Sequence, residues 1–319
     1  MRILIAGGLG FVGGRLAVHL ALAGHKIVIG SRKVSPPPAW LPQAEVQQMV
    51  WADKKSLEKC CNGIDLVVQA AGVNAQDCFA DPVSALEFNG VATARLTEAA
   101  SLARVKRFIY LSTAHVYASP LLGTITEESC TRNLHPYATS HLAGELALLG
   151  ACKRGQIDGL VLRLSNAFGA PTHKEVKCWM LLVNDLCKQA VQTGKMVLQT
   201  NGLQHRDFIS LANVCRTVEH VINYEGSLTS YGICNVGVGT SLSVLEMSQH
   251  IQKRCERIIG LEPTLLIPNK GDNKNNHLLE YRTDRLEKLG VKLSLENSEE
   301  IDNLLLFCQS SFSQMQVSS

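Results

Sequence analysis

The chain has 319 residues, 46% hydrophobic and 18% charged, with a formal net charge of +3. That length allows one large domain or two closely joined ones. So small a charge, with no Lys/Arg run, argues against a nucleic-acid partner, and no stretch approaches the ~18 apolar residues of a membrane span. The chain opens directly on a strand-like run, Arg2-Ile3-Leu4-Ile5-Ala6. No charged leader precedes it, so no secretory signal is expected and the protein reads as cytoplasmic. The 11 cysteines are scattered, with Cys60 and Cys61 adjacent and no C-x-x-C pair. They read as buried small side chains in a reducing compartment, and with no ligand spacing among the histidines no metal is expected.

Short apolar runs follow the first strand at Lys26–Ile29, Val46–Val50, Leu66–Ala70, Arg107–Ser112 and Gly159–Leu164. Between them lie segments of helical period, notably Val12–Ala23, Pro82–Leu102 and Pro136–Lys153. Strands alternating with helices at this spacing predict an α/β fold, a Rossmann-type doubly wound parallel sheet with right-handed crossovers. Its ligands belong at the carboxyl ends of the strands. After about Gly169 the rhythm weakens and an Asn/Lys-rich stretch appears at Pro268–Asn276. Residues 1–168 are therefore assigned to dinucleotide binding, with later returns near 205–235. Residues 169–308 are assigned mainly to a smaller C-terminal substrate-binding lobe, and 309–319 to a disordered tail.

The first strand runs into Gly7-Gly8-Leu9-Gly10-Phe11-Val12-Gly13. Glycines at this spacing let the backbone turn tightly against a pyrophosphate, which the following helix N-terminus attracts. Gly7, Gly10, Phe11 and Val12 are thus candidate cofactor contacts. The tip of the second strand, Gly30-Ser31-Arg32-Lys33, carries no acid to accept from a ribose 2′-hydroxyl. Ser31 and Arg32 suit a 2′-phosphate, which favours NADP(H), with NAD(H) the alternative. Asp53, after the third strand, is a candidate acceptor for the adenine amino group. Ala70, Ala71 and Gly72 are small enough to let backbone pass close to ribose or pyrophosphate. Further on, Thr113 closes the fifth strand, and Pro136 starts a helix that places Tyr137 and His141 on one face. A hydroxyl at a strand tip beside a Tyr on a helix is a plausible proton-transfer pair.

These pieces, taken in order, resemble the extended short-chain dehydrogenase/reductase family, also called the NAD-dependent epimerase/dehydratase family. The resemblance runs from Met1 to about Leu289. It rests on GGLGFVG at Gly7–Gly13, QAAG at Gln69–Gly72, Asn89 in FNGVAT and LSTAHVY at Leu111–Tyr117. Tyr137, RLSNAFGAP at Arg163–Pro171, HRDFI at His205–Ile209 and NVGVGTSLSVLE at Asn235–Glu246 complete it. It implies that Thr113 hydrogen-bonds the substrate oxygen and that Tyr137 is the general acid or base. It places Asn89 beside the cofactor, steadying the active-site helix, and gives Asn166 and Arg206 the nucleotide and diphosphate of a nucleotide-linked sugar. A homodimer through two helices is also implied. Leu96, Ala99 and Leu102, with Leu142, Leu146 and Leu149, would serve it, or would equally serve burial against the chain's own sheet.

The chain departs from the family where a Lys should follow the Tyr by four residues: the position holds His141. The Lys donates to the nicotinamide ribose and lowers the Tyr pKa by its charge. Histidine can donate but is fully charged only at lower pH. Three readings stay open: His141 substitutes for the Lys in a slower enzyme, the protein is a reductase that needs Tyr137 protonated, or it binds cofactor without turnover. Ala114-His115 replaces the Asp-Glu of dehydratases, which disfavours dehydration and leaves His115 as a possible second acid. Asn269-Lys270 stands where an Arg often precedes Gly-Asp, so a diphosphate contact is lost or passes to Lys270. The expected function is an NADPH-dependent keto-sugar reductase acting on a nucleotide-diphosphate sugar. The alternatives are a nucleotide-sugar epimerase and a catalytically weak NADP(H)-binding sensor or scaffold.

Overall fold

Alternation along the first strand sets the architecture, because successive side chains point to opposite faces of a sheet. In a computed structural model, which describes residues 1–268, 278–293 and 298–313, seven strands form one parallel sheet. They are β1 (Arg2–Ala6), β2 (Lys26–Ser31), β3 (Glu45–Gln48), β4 (Leu66–Gln69), β5 (Arg107–Thr113), β6 (Asp158–Leu164) and β7 (Ile233–Val236). Their order across the sheet is β7-β6-β5-β4-β1-β2-β3. Ile3 and Ile5 point to one face and pack with Leu16, Leu20, Val214 and Val218 of helices Phe11–Leu22 and Leu211–Ile222. Leu4 and Ala6 point to the other and pack with Leu57, Leu96, Ala99 and Leu148. With helices on both faces, strand order reverses between β1 and β4, and the ligand crevice opens there.

The third strand lies at Glu45–Gln48 rather than at Val46–Val50, since Val50 has already left the sheet for solvent. The segment Pro82–Leu102 is helical but not uniformly so. A π turn over Leu86–Val91 separates short helix Pro82–Ala85 from Ala92–Leu102. Inserted π turns of this kind gather at functional sites, and this one carries Asn89. Helix Pro136–Lys153 has the expected bounds.

Beyond β6 a small sheet pairs Asn166–Phe168, His205–Ser210 and Ser241–Ser243. It packs on a separate core of Phe168, Leu186, Met247, Ile251 and Leu304. The chain returns to the main sheet at β7. The end of the chain corrects the expectation of a tail from 309 onward. Helix Ser298–Phe312 carries residues 309–312, and its apolar face, Ile301, Leu304, Leu305 and Cys308, is buried in the lobe core. Its Glu300 accepts from Arg15 Nη1 at 2.7 Å and from the backbone N–H of Ala212 at 3.0 Å, tying the last helix to the first. Lys270 lies outside the described residues.

Candidate active site

The glycine turn after β1 is shaped by what a side chain would strike. Gly7 has φ +80°, and a Cβ there would lie 2.7 Å from the Ala71 backbone. A Cβ on Gly13 would lie 2.3 Å from the Gly7 carbonyl. Helix Phe11–Leu22 therefore starts hard against the turn. Its N-cap, Gly10, offers no side-chain acceptor. The first N–H groups, at Phe11 and Val12, are left to an anion, with the helix dipole behind them. Ala70, Ala71 and Gly72 form the opposite wall. This cradle fits the pyrophosphate of a dinucleotide.

At the tip of β2, Ser31 Oγ accepts from the Lys33 backbone at 3.2 Å. The Arg32 guanidinium sits 5.9 Å from the Phe88 ring centroid, and Trp51 meets Phe88 edge-on at 5.3 Å. Phe88 and Trp51 thus stand together beside the tip of β2. The Asp53 side chain caps helix Lys54–Cys61, accepting from the Lys55 N–H at 2.9 Å, and it faces solvent.

Thr113 ends β5, and its Oγ1 accepts from the His115 N–H at 3.1 Å. Tyr137, in the first turn of helix Pro136–Lys153, lies beside Thr113. Burial raises its phenol above the usual value, and the Thr113 side chain opposes that rise. The two catalytic candidates are therefore together. His141 lies one turn on, its ring centroid 4.6 Å from that of Tyr137. It is buried, and desolvation lowers its pKa to about 4. It is a neutral imidazole at physiological pH, so it does not supply the fixed charge a Lys would. Its Nδ1 is 2.9 Å from the Tyr110 hydroxyl.

Asn89 braces the active-site helix. It is wholly buried, accepts from the Val73 N–H at 2.9 Å and donates to Ser140 Oγ at 3.0 Å. Those bonds tie the loop after β4 to helix Pro136–Lys153. A second buried anchor lies a turn further along that helix. Glu145 accepts from Ser112 Oγ at 2.5 Å and pairs with Arg163 of β6, also at 2.5 Å. Arg163 lies over the Tyr117 ring.

Beyond β6, Asn166 Nδ2 donates to the Asp207 carbonyl at 2.9 Å. Arg206 Nη2 donates to Gln204 Oε1 at 3.1 Å, and burial lowers its pKa. Among the described residues no carboxylate forms an ion pair with Arg206, which leaves its charge for an anionic ligand. His115 is 6.5 Å from Tyr137 between ring centroids, and burial plus the Arg206 and His135 charges lowers its pKa to about 4. Thr113, Tyr137, His115 and Arg206 thus lie near one another. Among the described residues no group of His, Cys, Asp or Glu is placed to hold a metal, and no helix is long and apolar enough to cross a membrane.

Of the residues here, Tyr110, Phe88, Trp51 and the Glu145–Arg163 pair were not evident from sequence. Tyr110 and Ser112 alternate on β5 toward the helix that carries His141 and Glu145, and that pairing of periods 2 and 3.6 is the signal that could have found them.

Residues 3–237 match the NAD dependent epimerase/dehydratase family, and the chain belongs to it. It is similar to the dTDP-6-deoxy-L-talose 4-dehydrogenase (NAD(P)(+)) of Kitasatospora kifunensis, 30% identical over 75% of this chain and 74% of the relative. It is 27% identical to the dTDP-glucose 4,6-dehydratase of Streptomyces niveus, over 80% of this chain and 78% of that one. The solved structure of MoeE5 in complex with UDP-glucuronic acid and NAD shares the fold. Its TM-score is 0.78 at 22% identity, covering 98% of this chain and 100% of that one.

Proposed function

We propose that the protein is an NADPH-dependent reductase of keto groups on nucleotide-diphosphate sugars, working in the cytoplasm. The observation that carries this reading is the Tyr137 ring 4.6 Å from a buried His141, with burial favouring the neutral form of both. Reduction of a carbonyl needs a proton donor, and a tyrosine no cation acidifies is poised as one at neutral pH. Bound NADPH supplies the hydride. Thr113 and Tyr137 hold the keto oxygen, and Tyr137 donates the proton to it. Arg206 neutralises the diphosphate, Asn166 orients the nucleotide end, and Arg32 with Ser31 takes the 2′-phosphate. A relative named as a 4-dehydrogenase of a dTDP-linked deoxysugar is in keeping with redox chemistry at a sugar carbon. The free cysteines, ten of the eleven buried, accord with a reducing compartment.

We also propose a homodimer. Leu96 and Ala99 are spent on the chain's own core, but Leu86, Leu102 and Leu146 are exposed on neighbouring helices. Size measurement by sedimentation tests it.

The functional test is calorimetric titration of NADPH and NADH into wild-type protein and Arg32→Ala. NADPH should bind at least tenfold tighter to wild type, and Arg32→Ala should remove the difference. Equal binding of both by wild type would end the NADP assignment. An epimerase, the second reading, is favoured by the similarity to the UDP-glucose 4-epimerase of Streptomyces lividans. It predicts cofactor retained through purification and no net redox change.

A further inference from the structure

The imidazole at position 141 is held by one side chain the family comparison does not explain. Tyr110 lies in the middle of β5, wholly buried, with its hydroxyl 2.9 Å from His141 Nδ1. The two rings lie nearly parallel, 18° apart. Gly144 makes this approach possible, since a Cβ there would lie 2.9 Å from the Tyr110 hydroxyl. A neutral imidazole has one N–H, and its position is set by whatever the other nitrogen bonds.

The surrounding bonds favour one nitrogen over the other. The other polar atom beside the phenol, Thr93 Oγ1, already accepts from Gln69 Nε2 at 3.0 Å and donates to the Asn89 carbonyl at 2.7 Å. A buried hydroxyl needs an acceptor; Thr93 Oγ1 has one lone pair left, but the imidazole nitrogen at 2.9 Å is the stronger acceptor and the phenol a stronger donor than an imidazole N–H. Nε2 has no hydrogen-bond partner among the described residues, and it lies at the Gly72 end of the ring. A Cβ on Gly72 would be 3.5 Å from it.

We propose that Tyr110 is a positioning residue that donates to Nδ1 of His141, fixing the Nε2–H tautomer and aiming that donor past Gly72 at the cofactor ribose. The inference rests on the cofactor reading for its ligand but not for the tautomer. Burial keeps the imidazole neutral, with a pKa of about 4, and keeps the Tyr110 phenol protonated well beyond its usual range. Neither group then titrates away from this arrangement near neutral pH. In this site the donor function of a lysine is kept and its charge is discarded.

The test is long-range proton–nitrogen NMR of histidine-15N protein without ligand at pH 7.5, with His141→Gln to assign the signals. The proposal expects a protonated Nε2 and a bare Nδ1 at His141. It expects Tyr110→Phe, which removes one oxygen, to give a mixture of tautomers. That variant should also weaken NADPH binding about tenfold, the loss of one aligned donor at ~1.4 kcal/mol. A protonated Nδ1 in the wild type overturns it, and so does an unchanged tautomer in Tyr110→Phe. If the tautomer is as stated but neither NADPH nor NADH binds, the cofactor reading fails while the tautomer assignment stands. If the cofactor binds wild type and Tyr110→Phe equally, the ribose role is overturned.

Discussion

His141 lies one helical turn from Tyr137, and its protonation bears on the chemistry open to that phenol. Desolvation holds it neutral above about pH 4, so nothing on the helix lowers the Tyr137 pKa, and burial raises it. Tyr137 is therefore a proton donor through neutral pH and a base only in alkali. Reduction should run on a plateau from about pH 6 to 9. Oxidation of the sugar alcohol should climb about tenfold per pH unit, as the fraction of phenolate does. His141→Lys should place a cation beside the phenol and lower its pKa. The oxidative limb should then move to lower pH, raising the oxidation rate at pH 7 by tenfold or more. Steady-state rates across pH for both proteins check this. An oxidative profile that His141→Lys leaves in place would mean that residue 141 does not set the Tyr137 pKa.

Helix Pro136–Lys153 turns that residue chemistry into a fixed geometry. It is held at three points: to the π turn by Asn89 with Ser140, and to the sheet by Tyr110 with His141 and by Ser112 and Arg163 with Glu145. The last is a buried ion pair, so removing one partner strands the other charge, at a cost of ~3–5 kcal/mol. Glu145→Gln should lower stability to urea by that amount and reduce turnover with little change in nucleotide affinity. Wild-type stability in the variant would show that Arg163 finds another partner. The helix itself was legible, from Pro136 at its first turn and an unbroken helical period to Lys153. So were the glycine turn and the Thr113–Tyr137 pair, which local spacing encodes. The π turn was not legible, because a one-residue insertion in the hydrogen-bond ladder leaves the apolar period of residues 82–102 almost unchanged. The capping role of Asp53 was not read, because a helix cap and an adenine contact demand the same residue after a strand. Arg32 was readable as a cation but not as one lying over Phe88, 56 residues away in the chain.

For the molecule as a whole, buried ionisable groups make stability depend on pH. His115 and His141 have folded pKa values of about 4, below the ordinary 6.5. Their contribution is full above pH 6.5 and is lost as pH falls toward 4. Asp207 runs the other way. Burial raises it from 3.8 to about 6, so its contribution is full below 3.8 and lost as pH rises through 6. Two histidines against one carboxyl give a net fall in melting temperature from pH 7 to pH 4.5. His141→Gln should flatten that fall, and scanning calorimetry at several pH values reads it. An equally steep fall in the variant would place the acid sensitivity elsewhere. The two-lobed plan was legible in the fading of strand–helix rhythm after Gly169. The last helix was missed because its Ser/Gln-rich end hides an apolar face, Ile301, Leu304, Leu305 and Cys308, that the lobe core needs.

The central claim is that Tyr137 gives a proton to a sugar carbonyl as NADPH is oxidised. The most direct measurement is NADPH consumption at pH 7 with dTDP- and UDP-linked 4-keto sugars, by wild type and by Tyr137→Phe. The account predicts turnover by wild type and a loss of about 100-fold or more in Tyr137→Phe, with NADPH binding preserved. Binding of NADPH with no turnover by wild type, or equal turnover by both proteins, would contradict it.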